Sequence, residues 1–166
     1  MRSASLKRLA SLERQRGRYD EAREIARELM AAAPGDPEPV QLYASLCFDL
    51  GQTQEGLNAL RRSARTDATD VQALMSLATA LAGQRQTAEA IAVYWQAFEK
   101  VADEATRMTI TASLAEMYLR NHQFDQLVQN LESRMTDRTQ QRSAGICLAV
   151  AFRVAGDLQS ARATLE

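Results

Sequence analysis

The residues of this chain repeat their chemistry every 34 positions, and no other feature of the sequence constrains the fold as strongly. Ala10, Ala44, Ala78, Ala115 and Ala149 hold one place in five successive units, each directly after a large apolar residue: Leu9, Tyr43, Leu77, Leu114 and Leu148. A second small place holds Ala22, Gly56 and Ala90, and after a three-residue lengthening near Val101 to Glu104 it resumes with Leu127 and Ala161. Small residues recurring in phase mark helix crossings where only a methyl group fits between two backbones. Apolar residues make up 46% of the chain but aromatics only 5%, so Ala and Leu supply much of the core, which favours close helix packing over sheets. At 166 residues the chain holds one domain, or a short stack of small units that share a continuous core.

The turns recur as well. Gly17, Gly51 and Gly156 fall where a first helix must end and where a left-handed backbone is least costly for glycine, while Arg85 and His122 occupy the same place in units three and four. Gly83 is positioned to shift the end of the helix in unit three. These signals predict first helices near 4 to 16, 38 to 50, 71 to 83, 105 to 120 and 140 to 155. Second helices are predicted near 20 to 32, 54 to 66, 87 to 101, 124 to 137 and from 158 to the end. All three prolines lie in Pro34-Gly35-Asp36-Pro37-Glu38-Pro39, where Asp36 reads as an N-cap and Pro37 as the first helical residue.

This pattern resembles the tetratricopeptide repeat family, whose 34-residue unit is an antiparallel helix pair with small residues at its eighth and twentieth slots. The resemblance covers essentially the whole chain, with repeats near 3 to 36, 37 to 70, 71 to 107, 108 to 141 and 142 to 166. The family's usual Trp at the fourth slot is replaced by Leu6, Val40, Leu74, Thr111 and Gly145, and its closing Pro survives only as Pro34. The resemblance implies an all-α, right-handed superhelical solenoid forming one domain of about five repeats. The last repeat stops at Glu166 inside its second helix without a polar capping helix, which reads as a fragment of a longer protein whose open end could pair with another copy.

Charge and motifs narrow the function. Twenty basic and 21 acidic side chains leave a net charge of -1, which gives no field to attract a phosphate backbone and disfavours nucleic acid as a partner. The basic run of Arg2, Lys7, Arg8, Arg14, Arg16 and Arg18, with only Glu13 against it, reads as a solvated face or a junction with a neighbouring unit. Cys47 and Cys147 have no second cysteine nearby, so neither a metal knuckle nor a redox pair is expected. No segment approaches the roughly 18 consecutive apolar residues of a membrane span, nor does the N-terminus carry a signal-peptide core, so the reading is a soluble piece whose compartment the sequence does not fix, the cytoplasm being favoured. His122 reads as a solvated turn residue, and no phosphate loop, HExxH pair or nucleophile elbow occurs. No enzyme activity, cofactor or metal is therefore expected.

Tyr94, Trp95 and Phe98 share one helix at helical spacing, either packing between repeats or forming a docking site on the convex face. In the family the first helices line a concave groove. Projecting that face places Lys7, Ser11 and Arg14 in unit one, Gln41, Ser45 and Phe48 in unit two, and Met75, Thr79 and Ala82 in unit three. Unit four adds Ala112, Glu116 and Leu119, and unit five adds Ile146, Val150 and Arg153. Small, polar and apolar residues dominate this face, which suits an extended or helical peptide of limited charge. Family members that clamp a chaperone's C-terminal carboxylate use Lys, Arg and Asn at several of these slots. Only Lys7 fits here, and Ser11, Leu42, Gln72 and Ser76 depart from that pattern. The expected role is a protein-interaction scaffold, with a spacer or self-association module as the alternative and an enzyme as a distant third.

Overall fold

A computed structural model describes residues 2–33, 36–66, 70–135 and 141–165. Among these, ten helices and no strand occur: α1 (Arg2–Gln15), α2 (Tyr19–Ala32), α3 (Pro37–Asp49), α4 (Thr53–Thr66), α5 (Val71–Gly83), α6 (Thr87–Lys100), α7 (Glu104–Arg120), α8 (Phe124–Met135), α9 (Gln141–Ala155) and α10 (Leu158–Ala163). The predicted first and second helices are all present, within about two residues at most ends. The last one stops at Ala163 instead of running on. Pro34 and Gly35 of the proline-rich turn lie outside the described residues.

Local chemistry accounts for the boundaries. Asp36 accepts the backbone N–H of Glu38 at 3.0 Å with Pro37 in the first turn, as the sequence predicts. Asp70 caps α5 through Gln72 at 2.9 Å and Ala73 at 3.2 Å, and Asp103 caps α7 through Thr106 at 2.7 Å. Asp157 caps α10 through the Ser160 N–H at 3.0 Å and also accepts its hydroxyl at 2.6 Å. Donation by Thr106 and Ser160 to the carboxylate form holds the Asp103 and Asp157 carboxyls below the usual aspartate range.

All five first helices end in one turn. The left-handed residue is Gly17, Gly51, Arg85, His122 or Gly156, with φ of 74°, 74°, 60°, 55° and 82°. In each case the following N–H reaches back five residues, as in Gln52 to Cys47 at 2.8 Å, Gln86 to Leu81 at 2.9 Å and Gln123 to Tyr118 at 2.8 Å. The left-handed residue itself bonds three back, the paired signature of a Schellman stop. Gly83 does not shift this turn: it is the last residue of α5, and the positive φ stays at Arg85. Register in the repeat outranks residue type here.

The chain gathers into two compact units, Met1–Gln86 and Thr87–Glu166. In the first unit α1 packs on α2, α2 on α3, α3 on α4, and α4 on α5. Its small slots are sealed, with Ala10, Ala22 and Ala44 at most 1% exposed. Gly56 shows why one slot tolerates no side chain: a β-carbon there would lie 2.7 Å from a Phe48 ring carbon and 3.0 Å from the Ala44 carbonyl oxygen. In the second unit α7 packs closely along α9, and α8 also lies on α9. Thr111 and Gly145, the fourth-slot residues, are buried between them, with the Thr111 hydroxyl satisfied by the Arg107 carbonyl at 2.9 Å.

Candidate functional site

In the first unit, the face projected from the sequence forms an open groove of about 490 Å³. Gln41, Ser45, Phe48, Met75 and Thr79 line it, all singled out by register, and they are joined by Ala44, Leu60, Gln72, Ser76 and Ala80. α3 and α5 supply nine of these ten residues because their solvent-facing stripes run side by side, and Leu60 of α4 closes the floor. The Phe48 ring stands in the groove because Gly56 beneath it leaves space. Gln41 donates to the Ser76 hydroxyl at 2.6 Å, and that hydroxyl donates to the Gln72 carbonyl at 2.7 Å, so the polar wall is internally braced. The sequence marks Gln72 and Ser76 only as departures from a carboxylate clamp; their spacing of four, one helical turn, is the signal that joins them.

The cations expected at one end of the groove are engaged. Lys7 pairs with Glu38 and, at 3.4 Å, with Asp36, and these partners raise its pKa. Arg14 pairs with Asp49 at 2.8 Å. Each pair joins α1 to the start or end of α3, so these charges tie neighbouring first helices together. Ser11 donates to the carbonyl of Lys7 at 3.0 Å within its own helix. None of these three residues lines the groove, nor does Ala82, which is half-buried at the end of α5. The basic run finds a further partner in Glu13, which is buried and held by Arg18 and Arg16, and whose pKa is lowered chiefly by the Arg18 hydrogen bond.

In the second unit, Ile146, Val150 and Arg153 line a separate apolar cavity of about 400 Å³ with Met108, Ala149, Leu158, Ala161, Arg162 and Leu165. Val150 is only 5% exposed at its edge. Ala112, Glu116 and Leu119 stand apart from it, with Glu116 in a one-turn ion pair with Arg120 at 3.7 Å. The aromatic cluster is packed into this unit: Tyr94 and Phe98 are buried. Trp95 donates its indole N–H to the Tyr118 hydroxyl at 3.2 Å, while the Arg134 guanidinium covers its ring at 4.5 Å. Burial raises both the Cys47 and the Cys147 thiol pKa. Among the described residues, no three His, Cys, Asp or Glu side chains cluster to hold a metal, and no helix is long and apolar enough to cross a membrane.

The tetratricopeptide repeat family model matches residues 13–79, which include α2, α3, α4 and most of the groove wall. Residues 13–79 are tetratricopeptide repeats. Solved structures extend the tetratricopeptide fold along the chain. The nearly identical tetratricopeptide-like repeats assigned to a kinesin light chain of Podosopora anserina align with 99% of this chain and 92% of that one, at a TM-score of 0.61 and 22% identity. The pilF protein of Pseudomonas aeruginosa aligns over 98% of this chain and 72% of its own, with a TM-score of 0.62 and 16% identity. A chain from the Naa15/Naa10 structure bound to HypK-THB aligns with 99% of this chain but only 24% of its own length, with a TM-score of 0.60 and 19% identity. At these identities the likeness is one of fold. A search of curated proteins finds no sequence match.

Proposed function

We propose that the chain is a protein-interaction scaffold whose first unit holds an extended or helical peptide of limited charge in the groove between α3 and α5. The observation that carries this reading is the convergence of Gln41, Ser45, Phe48, Met75 and Thr79, spread over two repeats, onto one open surface. Phe48 and Met75 offer apolar anchorage, and the amides of Gln41 and Gln72 offer donors and acceptors to a peptide backbone. Among the described residues no charged side chain lines the groove, so a strongly acidic or basic peptide gains nothing from them. One structure of similar fold, Naa15/Naa10 bound to HypK-THB, is itself a protein assembly.

The test is selection of peptides from a displayed library on the native chain, followed by binding to a Thr79→Arg variant. Thr79 is exposed on α5, so the long cation obstructs the groove without entering the core. Selected peptides should carry apolar anchors and lose at least about tenfold in affinity, or about 1.4 kcal/mol, on that variant. Peptides that bind both proteins equally would move the site off this groove.

A further inference from the structure

The groove of the first unit offers two different contacts along its α3 wall, an aromatic ring and a polar pair. Phe48 is the one aromatic at its slot among the five repeats, and Gly56, eight positions on, is the one glycine at its own; equivalent pairs include Arg14 with Ala22 and Ala82 with Ala90. A β-carbon on Gly56 would lie 2.7 Å from Phe48 Cε1, so the glycine lets the ring lie against α4. Gln41 stands two turns earlier on the same wall, about 10 Å along the helix axis. The Ser76 hydroxyl donates to the Gln72 carbonyl at 2.7 Å, so its oxygen accepts from Gln41, and Nε2 of that amide lies 2.6 Å away. The Gln41 Oε1, its second N–H and the Gln72 side-chain amide engage none of the described residues. Donors and acceptors thus stand open together at this end of the groove.

Building on the groove reading above, we propose that its ligand is a polyproline II segment read by two side chains one turn apart: a large apolar one seated on Phe48 and an uncharged amide or hydroxyl one held by Gln41 and Gln72. The span between the two contacts selects the backbone. A polyproline II turn returns a side chain to the same face after about 9 Å. A β-strand does so at about 6.6 or 13 Å, and an α-helix needs two full turns, with a continuous apolar stripe for the groove. Here five of the ten lining residues are polar, which suits a ligand whose own N–H and C=O groups are open to the glutamine amides. The polar contact selects a neutral group by the same chemistry. An amide or hydroxyl donates and accepts at once, whereas a carboxylate only accepts and an ammonium only donates. Among the described residues no charge lines the groove to offset either ion as it leaves water.

The experiment is selection from a randomised, displayed peptide library on the native chain and on a Gln41→Met variant with an unchanged circular dichroism melt. Peptides taken by the native chain should pair a large apolar residue with Asn, Gln, Ser or Thr at i and i+3. On Gln41→Met the polar preference should vanish and the apolar one persist. In a selected peptide, exchanging the polar residue for Asp should cost at least about tenfold in affinity, and proline should be accepted at one or both of the positions between the anchors. Anchors at i and i+2 or i+4 mean a strand, and anchors at i and i+7 mean a helix; either overturns the proposal. So does a charged residue at the polar position, a polar preference that survives Gln41→Met, or loss of binding with proline at both intervening positions. Each of these leaves the groove reading standing if the peptides are lost on Thr79→Arg, whereas peptides that ignore Thr79→Arg overturn both.

Discussion

The two units are built from the same period but place their helices differently, and the small slots explain why. In Met1–Gln86 the eighth and twentieth slots of the first two repeats are Ala10 with Ala22 and Ala44 with Gly56. There α1 lies close along α2, and α3 along α4. Neighbouring first helices are then joined by side chains that reach across: Lys7 to Glu38, Arg14 to Asp49 and Gln41 to Ser76. In Thr87–Glu166 the twentieth slot of the fourth repeat is Leu127, fully buried, and α8 is held further from α7. α7 instead lies along α9, where the fourth slots have shrunk to Thr111 and Gly145. The close approach moves to wherever the side chains are smallest. The first unit thereby keeps a groove between α3 and α5, as the family match at residues 13–79 accompanies the regular small slots.

The largest effect that can break this comparison is expected at Leu127. Leu127→Ala should cost about 2–5 kcal/mol in denaturant unfolding, because α7 is held by α9 and cannot collapse onto the cavity. A cost near that of an exposed substitution would mean that α8 simply moves in to the spacing of the first unit, and slot size would not be what separates the helices. Next comes the same slot in the other unit. Gly56→Ala should destabilise by about 1–2 kcal/mol, since crowding against Phe48 and the Ala44 carbonyl outweighs the gain in helix propensity. It should also weaken any peptide held beside Phe48. Neutral or improved stability would show that α3 and α4 have slack, and the contrast between the units would weaken. The smallest effect tests what they share: His122→Gly should stabilise by about 0.5–1 kcal/mol, seen as a higher Tm, by relieving a left-handed histidine at φ 55°.

Much of the fold was legible because it is decided locally. The placement of Arg85 and His122 in the turn slots of Gly17, Gly51 and Gly156 follows from counting alone, and all five adopt the left-handed conformation. Asp36 and Pro37 announce the start of α3 in the same way. The candidate site was legible only in part. Register located Gln41, Ser45, Phe48, Met75 and Thr79, but it also projected Lys7 and Arg14 as groove charges, and these are drawn to carboxylates on α3. Long flexible side chains choose partners by proximity in space, which no repeat slot encodes.

By itself, the sequence determined the helices, the Asp36 cap of α3 and the five matching stops, since each depends on interactions within about five residues of chain. Only the tertiary structure decided which first helix lies against which and where the polar residues brace one another. Those outcomes depend on volumes and charges contributed by segments a full period or more apart, and a substitution at a single slot, such as Leu127 for a small residue, redistributes them.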